Sequence, residues 1–208
     1  MRILTVLTYY RPHTSGLTIY AERLARAFTR RGHQVTVMTT RYDSSLPCEE
    51  MMDGVRVIRV PVALRISKGV LAPTFGLVAT KLVLQHDVVQ LHLPQFDAPG
   101  VALRARLFGK PVGLTYHCDL LLPPGLLNRF VNLVVQFQHN MAGLLANHLV
   151  TYTQDYADNS IYLSRFRRKL TPFLPPVELP SAEPGSVEAR PKRSAGVKRV
   201  IGADQGRR

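Results

Sequence analysis

A histidine followed two residues later by a carboxylate, His117-Cys118-Asp119, closes the apolar run Val112–Tyr116. An imidazole there can donate or accept a hydrogen bond near neutral pH, and the carboxyl ends of strands in an open α/β sheet face the cleft where ligands bind. The same position also suits a histidine satisfied by backbone groups or facing solvent. His92 ends the run Asp87-Val88-Val89-Gln90-Leu91 in the same way, and like Asp119 it is a polar residue just after a strand. A third candidate is the loop Tyr9-Tyr10-Arg11-Pro12-His13-Thr14-Ser15-Gly16, between the first apolar run and the first helical pattern. Unpaired N–H groups and the positive end of a helix dipole favour a phosphate there, and Gly16 would let it approach closely. The plainer reading is that Ser15 caps the helix and Gly16 relieves a turn. The spacing is neither GxGxxG nor GxxxxGK[ST], which speaks against dinucleotide and Walker-type phosphate sites. His92, His117 and Cys118 lack compact ligand spacing, so no metal is expected.

Those residues need a scaffold, and the order of periodicities supplies one. Short apolar runs repeatedly give way to helical patterns, as βαβ units require. Strands are predicted at residues 3–7, 35–39, 55–60, 88–91, 112–116 and 149–153, with helices near 17–31, 75–85, 126–146 and 156–166. In the first helix Leu17, Tyr20, Leu24 and Phe28 form one stripe and Arg23, Arg26 and Arg30 another, and Gly32 stops it. Residues 170–174 contain Pro172, which cannot donate to a ladder and suits at most an edge strand. The fold class is therefore α/β, a Rossmann-like parallel sheet with flanking helices. Residues 181–208, with seven basic and three acidic side chains and few large apolar ones, are expected to be disordered.

The bulk composition narrows the partners. The chain has 208 residues, 46% hydrophobic, enough for one sizeable core. A formal charge of +13 would attract phosphates, anionic lipids or nucleic acid. No helix-turn-helix, zinc or RNP signature is present, so no nucleic-acid partner is expected. Two cysteines, Cys48 and Cys118, fit a reducing, cytoplasmic setting. The longest apolar segment, 126–147, is broken by Asn128, Arg129, Asn132, Gln136, Gln138, His139 and Asn140, so no transmembrane helix is expected. Residues 120–127 with Phe130, Val131, Val134 and Phe137 suit either a lipid surface, making the protein peripheral to the inner face of a membrane, or a core-facing stripe, which is the commoner use of such a pattern.

Several segments resemble, in order and spacing, the amino-terminal domain of the family 4, or group 1, retaining glycosyltransferases. They are the first strand with Pro12 and Ser15-Gly16, Leu24-Ala25, Gly32-His33-Gln34-Val35-Thr36-Val37, and Asp87 to His92. The series continues with Gly113-Leu114-Thr115-Tyr116-His117-Cys118-Asp119, Val150 to Tyr156, and Leu174-Pro175-Pro176-Val177-Glu178-Leu179. The resemblance spans residues 1–179 and implies the amino-terminal, acceptor-side half of a GT-B fold. It further implies transfer from a nucleotide-diphosphate sugar, a co-substrate rather than a cofactor, to a glycan or lipid-linked acceptor. His117 would touch the transferred sugar, and Tyr9, Ser15, Gly16, His92, Asp119 and Thr153 would line the donor or acceptor side.

Two departures qualify this. Many relatives carry two glycines where this chain has Ser15-Gly16, and nothing after Glu178 resembles the E-x7-E motif that holds the donor. Either the gene is truncated or shifted out of frame near residue 180 or a separate carboxy-terminal domain chain completes the enzyme, and this chain alone is expected to be inactive. The rival reading is a nonenzymatic module that binds phosphate or anionic membranes.

Overall fold

A computed structural model of the chain describes residues 1–66, 69–119 and 124–176. The chain divides into Met1–Val177 and Glu178–Arg208. The expected disordered tail lies outside the described residues.

One eight-stranded sheet organises the first unit. In chain order its strands are β1 (Arg2–Val6), β2 (Gln34–Arg41), β3 (Glu49–Met52), β4 (Val55–Pro61), β7 (Val88–Leu93), β8 (Val112–Tyr116), β9 (His148–Thr151) and β10 (Leu170–Pro172), while β5 (Leu64–Ile66) and β6 (Gly69–Leu71) form a separate hairpin. The spatial order is β10-β9-β8-β7-β1-β2-β4-β3, all parallel except β3. Ile3 pairs with Val35 on one side and Val88 on the other, both in parallel, so the order in which strands are added reverses at β1, the kind of switch point that opens a crevice at the carboxyl ends.

The two faces are covered by different helices. Ile3, Leu7, Val35, Val37, Val55 and Val57 form a core under α1 (Gly16–Arg30). Leu4, Val6, Val89, Leu91, Leu114 and Leu149 form a larger one under α2 (Phe75–Gln85), α3 (Ala98–Leu107) and α4 (Leu126–Leu145). Burial on both sides explains why the strands read as continuous apolar runs. Beyond β9, α5 (Gln154–Asn159) and a 3₁₀ helix (Leu163–Lys169) replace the single helix expected there, and β10 is the edge strand that Pro172 suggested.

The structure departs from the sequence expectations at four further points. In α1 the buried stripe is Thr18, Tyr20, Ala21 and Ala25, with Leu17 and Phe28 only flanking it, because a helix lying close on a sheet needs small residues at the contact. Helix α3 has no predicted counterpart. Its core face is Ala98, Val101, Ala102 and Ala105, and small side chains leave little apolar periodicity to read. The β3–β4 hairpin turns on Asp53-Gly54, both with positive φ (50° and 78°), the two-residue pattern that matches strand twist.

The fourth departure concerns α4. Its apolar stripe does not face the core: Leu126 is 86% exposed, Phe130 65%, Leu133 66% and Phe137 63%, and Leu144 is exposed with them. The side turned inward is small and polar, with His139, Ala142 and Gly143 buried. A Cβ on Gly143 would sit 2.6 Å from Phe166 and from the Tyr162 hydroxyl. The helix thus lies too close to its neighbours for large side chains on that side, and the large ones point out.

Candidate active site at the carboxyl edge of the sheet

Residues His92, Thr115, His117 and Tyr152 meet where β7, β8 and β9 end, on the side of the sheet that α1 covers. Registers place His92 beside Thr115, one peptide unit pair before His117. His92 Nδ1 and His117 Nε2 are 2.9 Å apart, and His117 Nδ1 bonds to the Tyr152 hydroxyl. Tyr20, one turn into α1, packs edge-on against His117 with ring centroids 5.0 Å apart, and also contacts His92 at 5.9 Å and Tyr152 at 5.6 Å. The four rings form one block joining the start of α1 to the ends of three strands.

Both imidazoles are held neutral. His92 is fully buried and its pKa falls well below the usual histidine value, because burial disfavours the cation and His117 adds to the effect. His117 is 8% exposed, and burial lowers its pKa to about 4. Burial, with Tyr20 and Cys118 nearby, raises Tyr152 to about 12. Two proton arrangements satisfy such a chain. In one, Tyr152 O–H donates to His117 Nδ1 and His117 Nε2–H donates to His92 Nδ1. In the other both bonds reverse, and the Tyr152 hydrogen is freed to point away from the block. His92 Nε2 has no protein partner in either case.

The loop before α1 approaches the same edge. Ser15 is the N-cap of α1, its Oγ accepting from Thr18 N–H at 3.2 Å, and no acidic residue occupies the first helical turn. A Cβ added at Gly16 would meet nothing within 4 Å, so open space borders this helix end. Tyr9 stacks on His13 with centroids 4.9 Å apart, and Tyr42 closes edge-on at 5.8 Å from Tyr9. Beneath the loop lies Arg59 of β4, whose side chain is wholly buried. It donates to the Arg11 carbonyl at 2.8 Å and forms an ion pair with Glu50 of β3.

The sequence candidates fall into two groups. His117, His92, Ser15 and Gly16 lie at one edge, with Tyr9 in the loop above. Asp119 turns away, accepting from the hydroxyls of Tyr116 (2.7 Å), Tyr156 (3.0 Å) and Ser160 (3.4 Å). Thr153 caps α5 through Tyr156 N–H at 3.2 Å. Three residues were not singled out from sequence: Tyr20, Tyr152 and Arg59. Tyr20 reads as an ordinary core position, Tyr152 stands inside a motif already quoted, and Arg59 alternates with Arg56 along the strand predicted at 55–60, a pattern that by itself marks no site. Among the described residues no group of three or more His, Cys, Asp or Glu could hold a metal ion, and no helix is long and apolar enough to cross a membrane.

Comparison with known proteins bears on the family and the fold. The glycosyl transferase 4-like domain matches residues 15–173. The catalytic domain of starch synthase IV from Arabidopsis thaliana, bound to ADP and acarbose, superposes with a TM-score of 0.54 at 15% identity, covering 83% of this chain and 51% of that one. Sucrose-phosphate synthase from Thermosynechococcus elongatus gives 0.50 at 13% identity, covering 77% and 45%. The chain therefore spans about half the length of these solved structures. No curated protein sequence matches it. The fold is that of a GT-B amino-terminal domain, and because the family match runs from the cap of α1 into the edge strand β10, the chain belongs to the glycosyl transferase 4-like domain family.

Proposed function

We propose that this chain is the acceptor-side half of a retaining glycosyltransferase that moves a sugar from a nucleotide-diphosphate sugar to a hydroxyl of a glycan or lipid-linked acceptor. The bond from the anomeric carbon to the diphosphate oxygen breaks and one to the acceptor oxygen forms. The acceptor proton leaves with the diphosphate. The observation that carries the reading is the neutral His92-His117-Tyr152 chain standing beside the open N-terminus of α1. Uncharged groups suit hydroxyl recognition on a sugar, and the helix end suits the diphosphate. The ADP in the starch synthase structure supports a nucleotide ligand for this fold.

Because both His117 nitrogens are engaged, contact with the sugar goes either through the outward hydrogen of Tyr152 or through His117 once Tyr152 turns aside. His92 and Tyr20 position the imidazole. Tyr9, Ser15 and Gly16 border the donor phosphates, while Asp119 and Thr153 hold the wall behind the site. The donor-gripping domain, in the same polypeptide or another, completes the pocket. The test is sugar transfer by the 208-residue chain alone and mixed with a family carboxy-terminal domain. Transfer only in the mixture is expected, and transfer by the lone chain at ordinary rates would overturn the half-enzyme reading.

A further inference from the structure

Helices α2, α3 and α4 pack side by side on one face of the sheet, and that face has an unusual surface. Besides the α4 stripe of Leu126, Phe130, Leu133, Phe137 and Leu144, it exposes Leu77 and Leu84 on α2 and Leu103 and Leu107 on α3. A groove of about 460 Å³, bordered by Phe75, Phe96, Leu103, Phe137, Met141 and Leu145, runs between the helices and extends the apolar area inward. Folded proteins rarely expose so many large apolar side chains on neighbouring helices without a partner.

Charge decides which partner. Not one aspartate or glutamate occurs in α2, α3 or α4. Cations stand near both ends of α4. Arg129 lies in its first turns, Arg165 donates to Asn140 Oδ1 at 2.9 Å in its last third, and Lys169 donates to the Leu144 and Ala146 carbonyls at the far end. Burial lowers the pKa of Lys169, and Arg106 of α3 lies close enough to add to the effect. Of the acids bordering these helices, Asp97 is partly buried where it lines the groove at the start of α3, Asp87 after α2 is paired with Arg2 at 2.6 Å, Glu49 near Lys81 of α2 is paired with Arg56 at 2.6 Å, and Asp158 is paired with Arg167 at 3.7 Å. A second copy presenting the same face would bring these cations together, and the three helices themselves offer no acid to pair with them. An apolar stripe rimmed by cations is instead the complement of an anionic bilayer, in which the stripe sinks among acyl chains while the arginines and lysines meet headgroups.

We propose that the α2–α3–α4 face docks the protein on an anionic lipid bilayer, with α4 lying in the plane of the interface and Phe130 and Phe137 inserted. A helix of 20 residues lies about 30 Å along that surface, enough to fix the orientation of the domain. This inference is independent of the sugar-transfer reading, and vesicle binding is measured without any transfer assay.

The experiment is cosedimentation of the full chain with vesicles of phosphatidylcholine and phosphatidylglycerol mixed three to one, and with phosphatidylcholine alone. Binding is expected to the mixture only, weakening with salt. Phe130→Ser/Phe137→Ser leaves every charge in place, including the seven basic residues of 181–208, and should weaken binding about tenfold or more. Met51→Ser, on the exposed far-edge strand β3, should not. As a check that does not depend on the double variant folding, Phe130→Trp places a reporter in a chain without tryptophan, and its emission should shift to the blue on adding the mixed vesicles. The proposal fails if the chain ignores the mixed vesicles at low salt, if the double substitution leaves binding unchanged, or if the tryptophan emission does not move. It also fails if sedimentation reveals a dimer that the double substitution abolishes while vesicles go unbound, since a second copy would then cover the face.

Discussion

His92 and His117 face each other nitrogen to nitrogen at 2.9 Å, so one of the two must donate and the other accept, and the tautomer of one sets that of the other. The constraint reaches Tyr152 through the second nitrogen of His117. The proton positions of three side chains at the ends of three neighbouring strands are therefore coupled.

His117→Ala in the completed enzyme should lower turnover about a hundredfold, the usual size of one preorganised contact to developing charge. Tyr152→Phe should lower it by a similar factor if the hydroxyl is the contact, and far less if His117 touches the sugar itself. His33→Ala, beside the chain terminus, serves as the control. Steady-state kinetics at equal folded fraction decides between these outcomes, and equal behaviour of His117→Ala and His33→Ala would remove His117 from the site.

Arg59 is a buried cation whose charge is balanced by Glu50. Glu50→Gln should destabilise the domain by about 3 kcal/mol, because it leaves that cation in the interior with the Arg11 and Pro47 carbonyls as its oxygen partners. Glu50→Gln/Arg59→Met should recover part of the loss by removing the stranded charge. Urea unfolding of the single and double variants measures both.

Asp119 gathers three hydroxyls, which makes it a clamp between β8 and α5. Asp119→Asn keeps the shape but weakens these bonds, and the expected cost is about 1 to 3 kcal/mol of stability. In the completed enzyme KM for the donor should change little. A large rise in KM with unchanged stability would show that Asp119 holds the ligand after all.

Acidification should destabilise the domain. An unfolded histidine titrates near 6.5, whereas burial lowers His117 and His139 to about 4 and moves His86 and His92 down as well. The folded state refuses protons that the unfolded state takes up, so stability is fully retained above about pH 6.5 and falls between there and about pH 4. For His139 alone the loss is about 3 kcal/mol at the acid end of that window. Thermal melts across the range should fall with pH, and His139→Gln should flatten the curve.

Sequence alone determined the parallel α/β architecture, because buried strands and their crossover helices leave local signatures: the apolar runs at β1, β2, β7 and β8, and Gly32 with its φ of 80° after α1. It also placed His117, Ser15 and Gly16 at the carboxyl edge, since residues that follow a strand or open a helix are positioned by the topology itself, while His92, expected just after a strand, lies within β7. Tertiary structure alone decided what those residues touch. Tyr20 and Tyr152 are 132 positions apart, and no local pattern brings them onto the two histidines. Arg59 looks like a surface alternation until β3 folds back and supplies Glu50. Helix α4 has an amphipathic sequence whichever way it turns, and its orientation follows from the close approach of Phe166 and Tyr162 to Gly143, a contact between segments far apart in the chain. Periodicity reports that a face is apolar, and only packing determines whether that face meets the core or the surroundings.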